Sequence, residues 1–300
     1  MGIANAVLVS ALQRIPKTLV KPVAMRYIAG ERLGDAVRVV RALNTRNMTA
    51  TVDVLGENVT TGQEAMAAVQ AAEEVLRKIE TEGLKSNISI KLTQFGINLD
   101  ESFCRENVRR LLRLARQYNN FVYIDMEDSS LTSPTLLFYE NLRDEGFGNV
   151  GAVIQAYLRR TMEDVKKLVK KEACVRVVKG IYVEGETIAY KGPGEIRENY
   201  LKILRSLLEG GCYTAIATHD EYLVEGALRF IRDLKVPPAS YEFQMLYGVR
   251  EKLRDDIVAQ GHPMRIYVPF GEQWYPYSMR RFQENPQMAR YVLRAFLLRD

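Results

Sequence analysis

The residues best suited to chemistry lie late in the chain, where Tyr267 ends an apolar run and Arg280–Arg281 follow. Met264–Val268 reads as a strand, Pro269 and Gly271 turn the chain, and a helical pattern starts near Pro276. A guanidinium offers a planar fork of donors that matches a carboxylate. A phenol offers a flat apolar face with a polar tip. Together they can hold a small acid with an apolar body. An Arg-Arg pair alone is more often a solvated helix face, so its meaning depends on the rest of the chain.

Other apolar runs also end in polar side chains. In order these are Glu57, Lys91, Asp125 with Glu127, Gln155, Arg176 with Lys179, Thr218 with His219, and Gln244. Any one of them is explained by capping or solvation, but the set recurs at every run. No Ser or Cys stands beside a His among them, which argues against triad hydrolysis. Two-carboxylate glycoside cleavage could use Glu57, Asp125 or Glu127. The chain's one tryptophan, Trp274, is poor provision for a sugar site. Amides and cations instead suit a bound cofactor that supplies the chemistry. Arg176, Lys179 and His219 can meet a pyrophosphate and ribose, while Lys91, Arg280 and Arg281 can hold a substrate carboxylate.

Composition narrows the partners. The net charge of +5 comes from 42 Lys and Arg against 37 Asp and Glu, with signs interspersed, and no basic run indicates nucleic acid. Cys104, Cys174 and Cys212 are an odd set without metal-ligand spacing, and two histidines are too few for a His-based metal site. The mildly apolar N-terminus lacks a basic start, so it is a poor secretory signal, and Ala6 breaks the myristoylation pattern. No apolar run approaches the ~20 residues of a membrane span.

From Thr51 onward a rhythm positions these residues. Short β-branched or apolar runs fall at Thr51–Leu55, Ile88–Leu92, Phe121–Ile124, Val150–Ile154, Cys174–Val178, Tyr213–Ala217, Tyr241–Met245 and Arg265–Val268. Amphipathic stretches separate them, such as Gly62–Ile79, Cys104–Tyr118, Ser133–Glu145, Thr161–Lys170, Ile196–Glu209, Glu221–Leu234 and Val249–Ala259. Thr61 with Glu64 forms a capping box, and Glu209-Gly210-Gly211 is a helix stop. Eight strands alternating with helices predict a (β/α)8 TIM-type barrel with its site at the C-terminal strand ends. The rival, an open doubly wound sheet, usually carries a Gly-rich first turn, and here that turn is Gly56-Glu57-Asn58. Residues 1–45 read as an N-terminal helical extension, interrupted at Pro16, and residues 46–300 as the barrel.

The strand-end segments resemble those of the monofunctional proline dehydrogenases. They are Ile88-Ser-Ile-Lys-Leu92, Tyr123-Ile-Asp-Met-Glu127, Ile154-Gln-Ala-Tyr157, Arg176-Val-Val-Lys-Gly-Ile-Tyr182, Ala217-Thr-His-Asp220, Glu242-Phe-Gln-Met-Leu-Tyr-Gly248, and Tyr267-Val-Pro-Phe-Gly271 through Tyr277-Ser-Met-Arg-Arg281. The resemblance implies FAD-dependent oxidation of L-proline to pyrroline-5-carboxylate, with electrons passing to a membrane quinone. It puts Lys91, Arg280 and Arg281 on the proline carboxylate, Tyr267 and Leu246 against the ring, and Tyr182 in the pocket wall. It makes Asp125 the residue that orients Lys91 and Tyr267. It assigns the flavin to Gln155, Arg176, Lys179, Gly180, Thr218, His219 and Gln244. Glu57 would pair with Arg280 and close the site, and Glu284 is a second counter-charge, grouped with the cofactor residues. The resemblance further implies a cytoplasmic protein, peripheral at the inner membrane face, and a separate pyrroline-5-carboxylate dehydrogenase. On the residues alone, a barrel aldolase using Lys91 or Lys179 as a Schiff-base amine remains the alternative.

Overall fold

The computed structural model describes residues 17–284, with the last helix described as backbone only from residue 280 and without the side chains of Thr18 and Leu19. Among the described residues, eight parallel strands close a barrel in sequence order. They are β1 Thr49–Val54, β2 Ser86–Ile90, β3 Val122–Ile124, β4 Val150–Gln155, β5 Cys174–Val178, β6 Tyr213–Ala217, β7 Tyr241–Leu246 and β8 Met264–Phe270. β1 closes on β8, with Thr51 opposite Tyr267 and Asp53 opposite Pro269.

Helices precede and link the strands: α1 Lys17–Ala24, α2 Leu33–Asn44, α3 Gly62–Thr81, α4 Glu101–Gln117, α5 Ser129–Asp144, α6 Thr161–Lys170, α7 Pro193–Glu209, α8 Glu221–Asp233, α9 Glu251–Ala259 and α10 Trp274–Glu284. α3 starts as its capping box dictates: Thr61 Oγ1 accepts from Glu64 N–H, and Glu64 Oε2 accepts from Thr61 N–H, both at 3.2 Å. α7 stops at Gly210, and Gly211 takes φ +73°. α5 begins at Ser129, one turn before the expected Ser133, because Asp128 accepts the Ser130 N–H at 2.9 Å and caps an earlier turn. Trp274 opens α10, which places Pro276 inside the first turn, where its missing N–H costs nothing.

Val, Ile and Leu side chains on the outer strand face pack against the helices, and Ala36, Val40 and Leu43 of α2 join the same core. α1 forms a separate cluster, in which Val20, Val23, Ala24 and Ile28 pack on Leu55, Trp274, Tyr277 and Met279. The segment after α1 is laced to the end of β8: Ala29 N–H donates to Pro269 C=O at 2.9 Å, and Gly271 N–H to Gly30 C=O at 3.0 Å. Gly248 (φ +72°) is required nearby, since an added Cβ would lie 1.8 Å from the Arg26 carbonyl oxygen. Of the apolar face expected in the first 45 residues, Leu8, Leu12 and Ile15 lie outside the described residues. Among those described, no helix is long and apolar enough to cross a membrane.

Candidate functional site

The barrel interior is polar, and bonds across the lumen establish it. Arg176 on β5 donates from Nη1 to Ser89 Oγ on β2 at 2.9 Å and to Asp125 Oδ1 beyond β3 at 2.7 Å. Tyr267 on β8 donates to Asp125 Oδ2 at 2.6 Å. Each of these bonds joins strands that are not neighbours, so the groups meet only inside the barrel. Side chains alternate faces along a strand, which brings Thr51, Asn87, Ser89, Tyr123, Glu242, Gln244 and Arg265 into the same lumen. Several strand runs are therefore less apolar than they read, since their inner face carries polar side chains.

Asp125 is the hub at the mouth, but it is not the main partner of Lys91. The ammonium lies 3.1 and 3.3 Å from the two oxygens of Asp53 and 3.9 Å from Asp125. Sequence reasoning missed Asp53, which is fully buried within β1, one residue before its end. Burial opposes the charge on Lys91, yet Asp53 and Asp125 more than offset it and hold the ammonium above its ordinary pKa of 10.5. A Schiff-base amine must be neutral to attack, so this environment disfavours the aldolase alternative. Lys179 is also salt-bridged, to Asp220 at 2.5 Å.

Arg176 is 3 % exposed. Its guanidinium carbon stands 4.0 Å from the centroid of the Tyr123 ring and 5.4 Å from that of Tyr267. Its Nε and Nη2 have no hydrogen-bond partner among the described residues. Buried donors normally find partners, so two on one guanidinium mark a place for an electron-rich ligand. Burial, and then Asp125, push the Tyr267 phenol well above its usual pKa, so it stays protonated and donates. Leu246 pairs in register with Tyr267 on the neighbouring strand, which sets an apolar side chain beside the phenol.

A second polar group forms where β5 and β6 end. Asp220 accepts from Lys179 and, at 2.8 and 3.1 Å, from both arms of the Arg197 fork. Thr218 Oγ1 accepts the Asp220 N–H at 3.2 Å, and His219 Nε2 accepts the Leu246 N–H at 2.8 Å. That contact commits the Nε2 lone pair to the backbone. Asp220 and Arg197 were not singled out from sequence as site residues.

Gln155 and Gln244 are buried and partly engaged below the mouth. Gln155 Nε2 donates to Glu127 C=O at 2.9 Å, and Gln244 Nε2 to Glu242 Oε1 at 2.6 Å. Glu127, read from sequence as a strand-end carboxylate, turns away to accept from Thr93 N–H at 3.1 Å and Thr93 Oγ1 at 2.5 Å. It therefore does not pair with Asp125 as a glycosidase would require. Gly180 (φ +108°) lies so close to Tyr157 that an added Cβ would be 2.0 Å from the ring. Glu57 and Tyr182 are half-buried, each with interactions of its own. Arg280, Arg281 and Glu284 stand on α10, but their side chains lie outside the described residues.

Known proteins are similar to this sequence. A family model described as Proline dehydrogenase matches residues 36–294. Proline dehydrogenase 1 of Bacillus subtilis is 36% identical over 274 residues, covering 91% of this chain and 90% of the relative. The chain belongs to the proline dehydrogenase family. Proline dehydrogenase of Deinococcus radiodurans is 34% identical over 281 residues, at 91% and 90% coverage. A crystal structure of proline utilization A from Bdellovibrio bacteriovorus, inactivated by N-propargylglycine, superposes with a TM-score of 0.83 at 29% identity. That match covers 89% of this chain and 33% of the longer one. The closed barrel thus agrees with a proline dehydrogenase fold, and the family is one of oxidoreductases.

Proposed function

We propose that the protein oxidises L-proline to pyrroline-5-carboxylate with FAD as the resident cofactor. The observation that carries this reading is Arg176, with two buried N–H donors and no protein partner for them, beside the Asp125–Tyr267–Lys91 cluster. Those donors suit an electron-rich ring system, and Lys179, Thr218 and His219 suit the ribose and phosphates further along the mouth. FAD, when bound, supplies the hydride acceptor.

The protein's own groups do the rest. Lys91, with Arg280 and Arg281, holds the proline carboxylate. Tyr267, Leu246 and Tyr182 wall the ring, and Glu57 closes the site by pairing with Arg280. Asp125 fixes Tyr267 and Arg176 and leaves Lys91 chiefly to Asp53. Gln155, Gly180 and Gln244 border the cofactor, and Glu284 is a counter-charge on α10. Proline must lose an amine proton as it loses the hydride. The oxygens of Asp53 and Asp125 are already engaged, so that proton leaves to water. A membrane quinone then takes the electrons at the cytoplasmic face, and a separate dehydrogenase consumes the product, making this the first step from proline toward glutamate.

The test is an absorbance spectrum of the purified protein with and without anaerobic L-proline. Flavin bands that bleach on adding proline support cofactor, substrate and reaction together. Bands that persist retain the flavin and discard the substrate. A colourless protein that takes up no added FAD overturns the reading.

A further inference from the structure

The connection between β5 and α7, residues 179–192, carries Lys179 and Tyr182, and it is long for a link within a compact barrel. Its tip cannot be held by apolar packing, because Val183 is 77% exposed. Ala189 further along packs on Tyr157 and Leu158, and two sets of polar anchors add to that seat. The later half is pinned to the start of the β4–α6 link: Arg159 N–H donates to Ile188 C=O at 2.9 Å, Tyr190 N–H to Tyr157 C=O at 2.8 Å, and Arg159 Nε to Glu186 C=O at 2.9 Å. Lys191 Nζ donates to the Glu184 carbonyl within the connection, and the Glu184 side chain ties the tip to α5. Glu184 accepts from Ser129 N–H at 2.7 Å and from Ser129 Oγ at 2.6 Å, at the first turn of α5.

We propose that Glu184 is a positioning residue, a latch that fastens the tip of this connection to α5 and so sets Tyr182 over the mouth, while Lys179, before Gly180, is held by Asp220. The inference rests on the proposed function only in giving the mouth to proline and FAD. α5 already has a cap in Asp128, which accepts the Ser130 N–H. The two bonds from Glu184 therefore do more than end the helix, since they join elements far apart in sequence. A carboxylate suits the task because it accepts from both donors at once, next to the positive end of a helix dipole. Gly180, seated on the Tyr157 ring, is the fixed point about which the tip would otherwise swing.

The experiment compares Glu184→Ala, Glu184→Gln, Ser129→Ala and Asp128→Ala in the purified protein. It reads amide hydrogen exchange across residues 181–186 and the rate of FAD release after dilution. Glu184→Ala is expected to speed both on the order of tenfold, the scale of a lost charged hydrogen bond. Glu184→Gln should keep both rates near those of the wild type, because its carbonyl can accept the Ser129 N–H and its amide can donate to Oγ. Ser129→Ala, which removes one of the two contacts, should fall between and covers the case in which Glu184→Ala fails to fold. Asp128→Ala should lower Tm without moving either readout. Exchange at the wild-type rate in Glu184→Ala or Ser129→Ala overturns the latch. Faster exchange with unchanged FAD release and unchanged proline KM overturns its positioning role. A wild-type protein holding no FAD would sink the flavin reading, while the exchange comparison would still decide the latch.

Discussion

At the scale of single residues, the site is a set of charges whose partners are shared. Among the described residues Asp53 touches Lys91 alone of the mouth cations, so Asp53→Asn should raise proline KM while FAD content stays at the wild-type level. In a Lys91→Met background the same change should add little, because contacting residues are non-additive when one acts through the other. Full additivity in that double-mutant cycle would show that Asp53 works elsewhere. The raised pKa of Lys91 gives a second expectation. Its ion pair contributes stability that is complete below the ordinary value of 10.5 and is lost only as pH rises through the still higher folded value. An alkaline limb in proline KM below pH 10.5 should therefore survive in Lys91→Met, and its disappearance would assign that limb to Lys91. Arg281→Met should cost about 3 kcal/mol in kcat/KM for proline, the scale of a lost buried charged contact. An unchanged KM would remove Arg281 from the substrate. A phenol against the ring should also crowd a 4-hydroxyl, and comparable turnover of proline and hydroxyproline would refute that place for Tyr267.

At the scale of elements, loop geometry positions what the strands cannot. Gly180 has a backbone conformation that L residues avoid and no room for a Cβ against Tyr157. Gly180→Ala should lose flavin and lower Tm together, since relief requires the whole β5–α7 connection to move. Normal flavin content would mean that the connection adjusts without disturbing the mouth. Asp220 joins α7 to the end of β5 through Arg197 and Lys179. Burial pushes its carboxyl up, but the Arg197 and Lys179 contacts more than offset this and leave it below its ordinary 3.8. Its stabilisation is thus present above that pH and is lost as pH falls through the lower folded value. Acid unfolding curves of Asp220→Asn should have a shallower slope below pH 3.8 than those of the wild type, and parallel curves would deny the linkage.

At the scale of the whole molecule, the barrel floor carries a buried ion pair beneath the site. Arg265 donates from Nε to Glu242 at 2.7 Å and from Nη1 to Ala50 C=O at 2.7 Å, deep in the lumen. Removing one partner strands the other in a medium that solvates it poorly. Glu242→Gln should destabilise by about 3–5 kcal/mol, and an apolar pair at both positions should recover most of the loss. A double variant as unstable as the single one would mean that the pair's shape, rather than its charge balance, matters.

Local chemistry made much of this legible from sequence. The bounds of β5 and β6, the Thr61–Glu64 capping box and the stop at Gly210-Gly211 all depend on residues a few positions apart, and they hold in the structure. The repeated alternation of strand and helix left little but a closed barrel, and strand-end residues such as Lys91, Asp125 and Tyr267 converge because a closed barrel brings all strand ends to one rim. What the sequence could not decide was who pairs with whom. Asp53 looked like one polar residue within a buried strand, and only the side-by-side pairing of β1 and β2 sets it against Lys91. Glu127 and Asp125 look alike in a chain read linearly, yet the chain leaves the strand after Ile124, and one carboxylate meets Thr93 while the other meets Arg176 and Tyr267 in the lumen. Glu184 and Ser129 become partners only when a long connection folds back over a neighbouring helix. Pattern along the chain determined the elements and the types of group at the mouth. Closure of the barrel decided their contacts, because a short-range bond between distant residues exists only after the fold has brought them together.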